Sequence, residues 1–428
     1  MAFISWNKTL SNGIGNWRSA EEREPRPRYK TPKFTNHPAY KSLRNWERVG
    51  SLMGVESPFF QSIEDASGNF TTIQGSSRLN FAWCDYLGLN QHPSLAEGMK
   101  SAIDRFGPCT SASRMVAGET PLHQQLEAEI SGFLGVDDAL LFVSGHAANV
   151  STIATIVGEG DLIVHDEFVH NSAIMGMRLS RAETIGFSHQ DPDELEQILR
   201  RERGNYRSAL VIVEGLYSTE GDVTNLAPFV EIKRRYGAWL MVDDAHGLGV
   251  LGESGRGIAE HCDVDARDVD IWMGTLSKTL ASCGGYIAGD TALIHILKHN
   301  APGFVYSVGL LPAMTAAALA ALRVIQSEPE RIQRLHANGR LFLERARQRG
   351  LNTGVSEGYG MLPVISGDVL KTIRLWNRVF ERGLNPSLMV YPAVPMKAGR
   401  LRFFLTSEHS EQEITNAVDI TAEELAKL

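Results

Sequence analysis

The sequence predicts an α/β protein: a mainly parallel sheet covered by helices on both faces, followed by a smaller α+β domain. Two observations carry this reading. From Leu79 onward, short apolar runs alternate with helix-like segments, and each run ends in glycine, serine or an acid. Beyond about Leu311 the pattern changes to longer helical stretches with two strand-like runs. Apolar strands separated by helices are the mark of a sheet buried on both sides.

In chain order, residues 1–75 are polar and proline-punctuated, with Trp6, Trp17 and Trp46 as isolated anchors, and read as an arm or early helices. Residues 76–310 form the large domain. Its strands are Ala139-Leu140-Leu141-Phe142-Val143, Leu162-Ile163-Val164, Leu210-Val211-Ile212-Val213, Trp239-Leu240-Met241-Val242, Ile271-Trp272-Met273 and Tyr286-Ile287-Ala288. Residues 311–428 form the smaller domain. An alanine-rich helix through Ile325 and a charged helix near Glu328 to Arg349 precede strands around Met361-Leu362-Pro363-Val364 and Leu401-Arg402-Phe403-Phe404-Leu405.

A chain of 428 residues at 43% hydrophobic and 21% charged is ordinary globular material. Its net charge of -8 leaves no footprint for nucleic acid or an anionic membrane. The basic stretch from Arg23 to Lys33 is broken by Glu24, Pro25, Pro27 and Pro32 and reads as solvated. Four cysteines, Cys84, Cys109, Cys262 and Cys283, form no metal or disulfide spacing, which suits a reducing cytoplasm. No apolar stretch is long enough to span a bilayer, and no secretory signal opens the chain.

The chemistry lies at the strand ends, where ligands bind in such sheets. One strand delivers Asp243-Asp244-Ala245-His246, and the next delivers Gly274-Thr275-Leu276-Ser277-Lys278. An acid, a histidine and a lysine so placed are the parts that pyridoxal phosphate (PLP) needs. The lysine forms a Schiff base, and the acid keeps the pyridine nitrogen protonated so that the ring can accept electrons. Read this way, Asp243 pairs with the ring nitrogen and His246 with the phenolic oxygen. A helix cap or a magnesium site is the plainer reading of Asp243, and the lysine that follows weighs against it.

Other segments fit around that core. Ser144-Gly145-His146 follows a strand and opens a helix, which is either a plain tight turn or an anion site for the cofactor phosphate, with Gly145 and His146 supplying it. Thr275 adds a hydroxyl, and Ser307 is placed to reach a neighbouring subunit's phosphate. His165 and His170 stand five apart and share no helix face, so no metal is assigned; His170 stacks on the cofactor ring or is a structural histidine. Ser218, at a further strand end, is a donor to the cofactor or part of a polar loop. Arg402, flanked by apolar residues, answers either a structural salt bridge or a substrate carboxylate. Gly247-Leu248-Gly249-Val250-Leu251-Gly252 matches a dinucleotide fingerprint, but four residues separate it from its strand and no helix follows.

Together these residues resemble the α-oxoamine synthases, fold-type-I PLP-dependent enzymes such as aminolevulinate synthase, amino-oxononanoate synthase and serine palmitoyltransferase. The resemblance runs from Leu79 to the C-terminus. It rests on Asp85-Tyr86-Leu87-Gly88-Leu89 with His92-Pro93, Val242-Asp243-Asp244-Ala245-His246-Gly247, Gly255-Arg256-Gly257, Gly274-Thr275-Leu276-Ser277-Lys278, Tyr391-Pro392-Ala393-Val394-Pro395 and Leu401-Arg402. It implies a homodimer with active sites at the subunit interface. The implied reaction condenses an amino acid with an acyl thioester, on CoA or a carrier protein, loses carbon dioxide and gives an α-amino ketone. It makes Lys278 the Schiff-base lysine and general base, and His246 and Ser218 contacts of the phenolic oxygen. His170 would stack on the ring, and Arg402 would hold the substrate carboxylate.

Two departures from the family pattern bear on substrate. Cys84 stands where the family carries an asparagine that helps hold the carboxylate. Cys109-Thr110-Ser111-Ala112-Ser113-Arg114 stands where the family is glycine-rich before a Ser-Arg pair; bulkier residues there would narrow or redirect the acyl channel, and Ser113 is counted among the substrate residues. The rival readings are another fold-type-I chemistry, an aminotransferase or lyase, and a non-catalytic scaffold subunit, which would be expected to lack Lys278.

Overall fold

The structure, a computed structural model, describes residues 30–52 and 56–428. The arm reading of residues 1–29, with Trp6, Trp17 and most of the basic stretch, lies outside the described residues. Met1–Ser57 forms one unit, whose described part holds a helix, Pro38–Leu52. Pro58–Leu428 forms the other and contains both sheets.

Chain order gives β1 (Ile63–Ser67), β2 (Phe70–Ile73), β3 (Ser76–Phe81), β4 (Asp138–Phe142), β5 (Leu162–Asp166), β6 (Glu183–Phe187) and β7 (Ala209–Glu214). There follow β8 (Trp239–Asp243), β9 (Ile271–Thr275), β10 (Gly285–Gly289), β11 (Met361–Gly367), β12 (Leu384–Met389) and β13 (Gly399–Phe404). The larger sheet has the order β4-β10-β9-β8-β7-β5-β6. Its pairs from β9 through β6 are parallel, and β10 runs antiparallel to both its neighbours. The predicted mainly parallel sheet is present.

Burial explains why these strands read as unbroken apolar runs. Along β7, Leu210 and Ile212 point into one apolar cluster while Val211 and Val213 point into the other. Met241 on β8 and Met273 on β9 join the first, and Leu240, Val242 and Trp272 join the second. Successive side chains of a strand face opposite sides, so a strand covered by helices on both faces carries apolar residues throughout.

The smaller sheet, β1-β2-β3-β12-β13-β11, is antiparallel except where β3 meets β12. Its composition differs from the expectation, because β1–β3 lie before the large sheet in sequence yet pair with C-terminal strands. Both long helices that precede the C-terminal strands form, as Pro312–Ser327 and Glu330–Gln348. Three features escaped the sequence reading for local reasons. β1 and β2 form an outer hairpin rich in polar residues. β6 is an edge strand with Glu183, Thr184 and Gly186 exposed. β12 carries Asn385 and Pro386, which lower a segment's claim to be a strand.

One close approach locks the large sheet to the helix Gly145–Ile156. A Cβ on Gly285 would lie 2.5 Å from Gly145 Cα and 2.6 Å from its nitrogen, where backbone cannot give way. Gly285→Ala is therefore expected to cost roughly 1–3 kcal/mol. A urea midpoint unchanged from wild type would refute this account of the contact.

Candidate active site

Three neighbouring parallel strands, β7, β8 and β9, end at the same edge, so their terminal residues gather there. Glu214 and Asp243 are register partners at the ends of β7 and β8. Lys278 stands three residues past the end of β9, half-buried, and makes no side-chain hydrogen bond or ion pair among the described residues. Burial lowers its pKa, an effect opposed by Cys84, Asp243 and Glu214 and reinforced by Arg402. An amine of lowered pKa is easier to hold neutral.

Asp243 is 7% exposed. Asn149 Nδ2 donates to its Oδ2 at 2.8 Å, and the Ala245 amide donates to Oδ1 at 3.1 Å. The same Asn149 amide reaches Ser172 Oγ at 2.9 Å, and that hydroxyl lies 2.7 Å from His170 Nδ1. His170 Nδ1 also accepts from the Ser172 amide, which assigns the ring proton to Nε2. A continuous chain thus links His170 to Asp243. Glu214 is held well above the usual carboxylate range by burial and by the charge of Asp243. Two adjacent carboxyls so buried present one negative charge, not two.

On the other side of the site, Tyr86 Oη lies 2.7 Å from His246 Nδ1. Burial holds the tyrosine well above its usual pKa and the histidine well below, with Lys278 and Arg402 adding to the latter. A neutral imidazole accepting from Tyr86 keeps its proton on Nε2, free to donate. The His246 ring stacks at 13° on Phe404, which also meets Tyr86 edge-on and carries the Arg402 guanidinium 4.9 Å from its ring centroid.

Arg402 comes from β13 of the smaller sheet. Its Nη1 donates to the Ser218 carbonyl at 2.8 Å and Nη2 to Ser387 Oγ at 3.4 Å, while Nε is buried without a partner. Among the described residues it pairs with no carboxylate; its neighbour Arg400 takes Glu220 at 2.7 Å. Cys84 is half-buried within electrostatic reach of Lys278 and Arg402, and burial pushes its thiol up.

The phosphate-loop residues also converge. A Cβ on Gly145 would meet Thr275 Oγ1 at 3.3 Å, so the first turn of Gly145–Ile156 lies against the end of β9. Thr275 Oγ1 is 2.8 Å from Ser277 Oγ and 3.1 Å from the Gly284 carbonyl. His146 is exposed at the same helix end. A helix N-terminus with outward amides and nearby hydroxyls suits a phosphate. The buried carboxylate, the unpartnered lysine and this cradle together fit PLP. Asp243 would hold the ring nitrogen, Lys278 the aldehyde carbon, and the cradle the phosphate.

Not every expected residue joins this cluster. Ser218 contributes its backbone to Glu214 and Arg402, and its hydroxyl makes no hydrogen bond among the described residues. Ser113 and Ser307 lie on two loops joined to each other, Gly309 N to Ala112 O at 3.0 Å, and bond none of the groups around Lys278. Residues 247–252 form tight turns with no helix opening, as expected of a false dinucleotide match. Asn149, Ser172 and Tyr86 were missed. For Asn149, its place one turn past Gly145 was the available signal.

The aminotransferase class I and II family matches residues 76–420. An 8-amino-7-oxononanoate synthase of Symbiobacterium thermophilum is 38% identical over 346 residues, covering 81% of this chain and 88% of its own. Among solved structures, a serine palmitoyltransferase of Sphingomonas wittichii matches with TM-score 0.87 at 28% identity, over 92% of this chain and 98% of that one. A structure of SPT with PLP matches with TM-score 0.87 at 25% identity, over 92% and 98%.

Asp244, beside the site, supplies a pH test. Burial lifts its pKa to about 8, opposed by the Ile258 amide and reinforced by Asp243. In an unfolded chain the group titrates near about 3.9. Between those values the folded protein keeps a proton that the unfolded chain has lost, so stability falls as pH rises through that window. Asp244→Asn cannot ionise and should flatten this slope. Parallel loss of stability in both proteins between about pH 5 and pH 9 would overturn the assignment.

Proposed function

The chain belongs to the aminotransferase class I and II family and, within it, to the α-oxoamine synthases, and from that membership we propose how its residues carry out the decarboxylative condensation of an amino acid with an acyl thioester. The observation that carries the proposal is Lys278, without a hydrogen-bond or ion-pair partner among the described residues, within electrostatic reach of a buried Asp243 and of an arginine with an unsatisfied Nε.

When bound, PLP supplies an electron sink for the charge left on the amino acid's α-carbon. The rest falls to the chain. Arg402 binds the substrate carboxylate through its unpartnered Nε edge, since a guanidinium offers a planar pair of donors to a carboxylate. Lys278, its pKa lowered by burial, takes the α-proton and later returns one. Asp243, fixed by Asn149, keeps the proton on the pyridine nitrogen. His246, its tautomer fixed by Tyr86, would donate from Nε2 to the phenolic oxygen. His170, fixed by Ser172, would pack on the cofactor. Cys84 places a thiol of low polarity beside the carboxylate site, leaving Arg402 as the main anchor.

The acyl thioester, on CoA or a carrier protein, enters past the Cys109–Ser113 loop. We assign the chain to a homodimer that completes this entrance. Met115 at 52%, Val116 at 83%, Tyr306 at 85% and Val308 at 40% exposure form apolar surface on the two joined loops, and such a patch marks an interface. Ser307 would then serve the partner's phosphate. Four free cysteines suit a cytoplasmic site of action, and among the described residues no helix is long and apolar enough to cross a membrane.

Carboxyl-labelled amino acids, tested with and without acyl thioesters, decide the reaction. Label should leave as carbon dioxide only when a thioester is present. Release or turnover independent of thioester would point to aminotransferase or lyase chemistry. Lys278→Ala should lower thioester-dependent release by roughly 10²–10⁴-fold. Retention of both turnover and the cofactor's imine absorbance in that variant would sink the assigned role.

A further inference from the structure

We propose that His189 is a positioning residue for substrate carboxylate binding: it anchors the loop whose carbonyl aims Arg402. The proposal rests on the reading of Arg402 given above.

His189 follows β6, and its ring lies between two acids from other elements. Nδ1 is 3.1 Å from both oxygens of Asp166 at the end of β5, and Nε2 is 2.9 Å from Asp222 Oδ2. The side chains of Asp166, Asp222 and His189 are 0%, 10% and 16% exposed. With both ring nitrogens facing carboxylates, the imidazole is doubly protonated. Burial opposes that charge, but the two acids prevail and raise the pKa to about 10. Tyr217 meets the ring edge-on at 4.4 Å between centroids, and Phe168 covers it at 4.6 Å. The next residue, Gln190, donates to both acids, its amide to Asp166 and its side chain to Asp222.

Asp222 closes a short loop at the end of β7. Leu216 and Val223 bridge its base, the Tyr217 amide donates to the Asp222 carbonyl at 3.0 Å, and the Gly221 amide to the Tyr217 carbonyl at 2.9 Å. Fixing Asp222 therefore fixes residues 218–220. Those residues meet the smaller sheet. Ser218 O accepts from Arg402, and Thr219 O accepts from Arg400 at 3.0 Å.

The chemistry of that last contact is why position matters. A carboxylate would neutralise Arg402 and compete with the substrate. A carbonyl orients the guanidinium while leaving its charge unspent. Its hold is directional and weak, so the aim of Arg402 follows the loop. Without His189, two buried carboxylates would face each other and push the loop off Asp166.

The test uses the full-length, PLP-loaded enzyme. His189→Asn should raise the amino-acid KM about tenfold while the thioester KM and the cofactor absorbance stay within about twofold. In an Arg402→Lys background, His189→Asn should add less than about twofold, because both changes act on one contact. Should His189→Asn fail to fold, Asp222→Asn keeps the shape and should raise the same KM in the same direction. An unchanged amino-acid KM, equal increases in both KM values, or additive effects in the double variant would overturn the proposal. Arg402→Lys alone separates the two levels: if it leaves the amino-acid KM unchanged, the carboxylate reading beneath the proposal fails.

Discussion

The site depends on keeping one carboxylate ionised and buried next to an unpartnered lysine. An isolated buried anion is costly and must be met by donors or opposite charge. Asp243 has both, from Asn149 and the Ala245 amide on one hand and from the neighbourhood of Lys278 on the other. Its register partner Glu214 would double the cost if it too were charged. Burial pushes that group to the neutral form, so the strand edge presents a single negative charge. Parallel pairing is what permits this economy, since β7, β8 and β9 all finish at one edge.

The second requirement is a cation with its charge unspent, and the large sheet does not supply it. Arg402 is delivered from β13, over the ring of Phe404, which also supports His246. One aromatic residue of the smaller sheet thus braces both His246 and Arg402, the groups proposed to face the cofactor and the substrate. Arg400, two residues earlier on the same face, consumes the available acid Glu220. That division of labour leaves Arg402, among the described residues, with carbonyl and hydroxyl hydrogen-bond partners and no carboxylate, the condition under which a carboxylate ligand gains most from binding it.

Much of this was legible in the sequence because it is carried by local pattern. The buried strands announce themselves through apolar runs, and Asp243, His246 and Lys278 stand at fixed short distances beyond them. What was not legible depends on contacts between distant segments. Asn149 and Ser172 are common polar residues near helix starts, and only folding brings one amide to both Ser172 and Asp243. Tyr86 is an apolar-looking residue in a loop until His246 arrives beside it, 160 positions away in sequence. The polar hairpin β1–β2 and the proline-bearing β12 show the same limit at the level of strands: their reason for being strands is a partner, not a composition.

The Asp166–His189–Asp222 trio is hard to explain by stability alone. Two carboxylates and one imidazolium leave a net negative charge in a largely buried place, and such clusters often cost about as much in lost hydration as they return. Apolar residues of similar volume would pack there at least as well. A charged cluster does one thing that apolar packing does less well, which is to fix direction: each hydrogen bond has an angle as well as a distance. Here the directions run from the end of β5, through His189, to the single loop that touches both arginines of β13. Buried charge is tolerable where orientation is the property under demand, and orientation is what a guanidinium held by a carbonyl and a hydroxyl, with no carboxylate among the described residues, lacks.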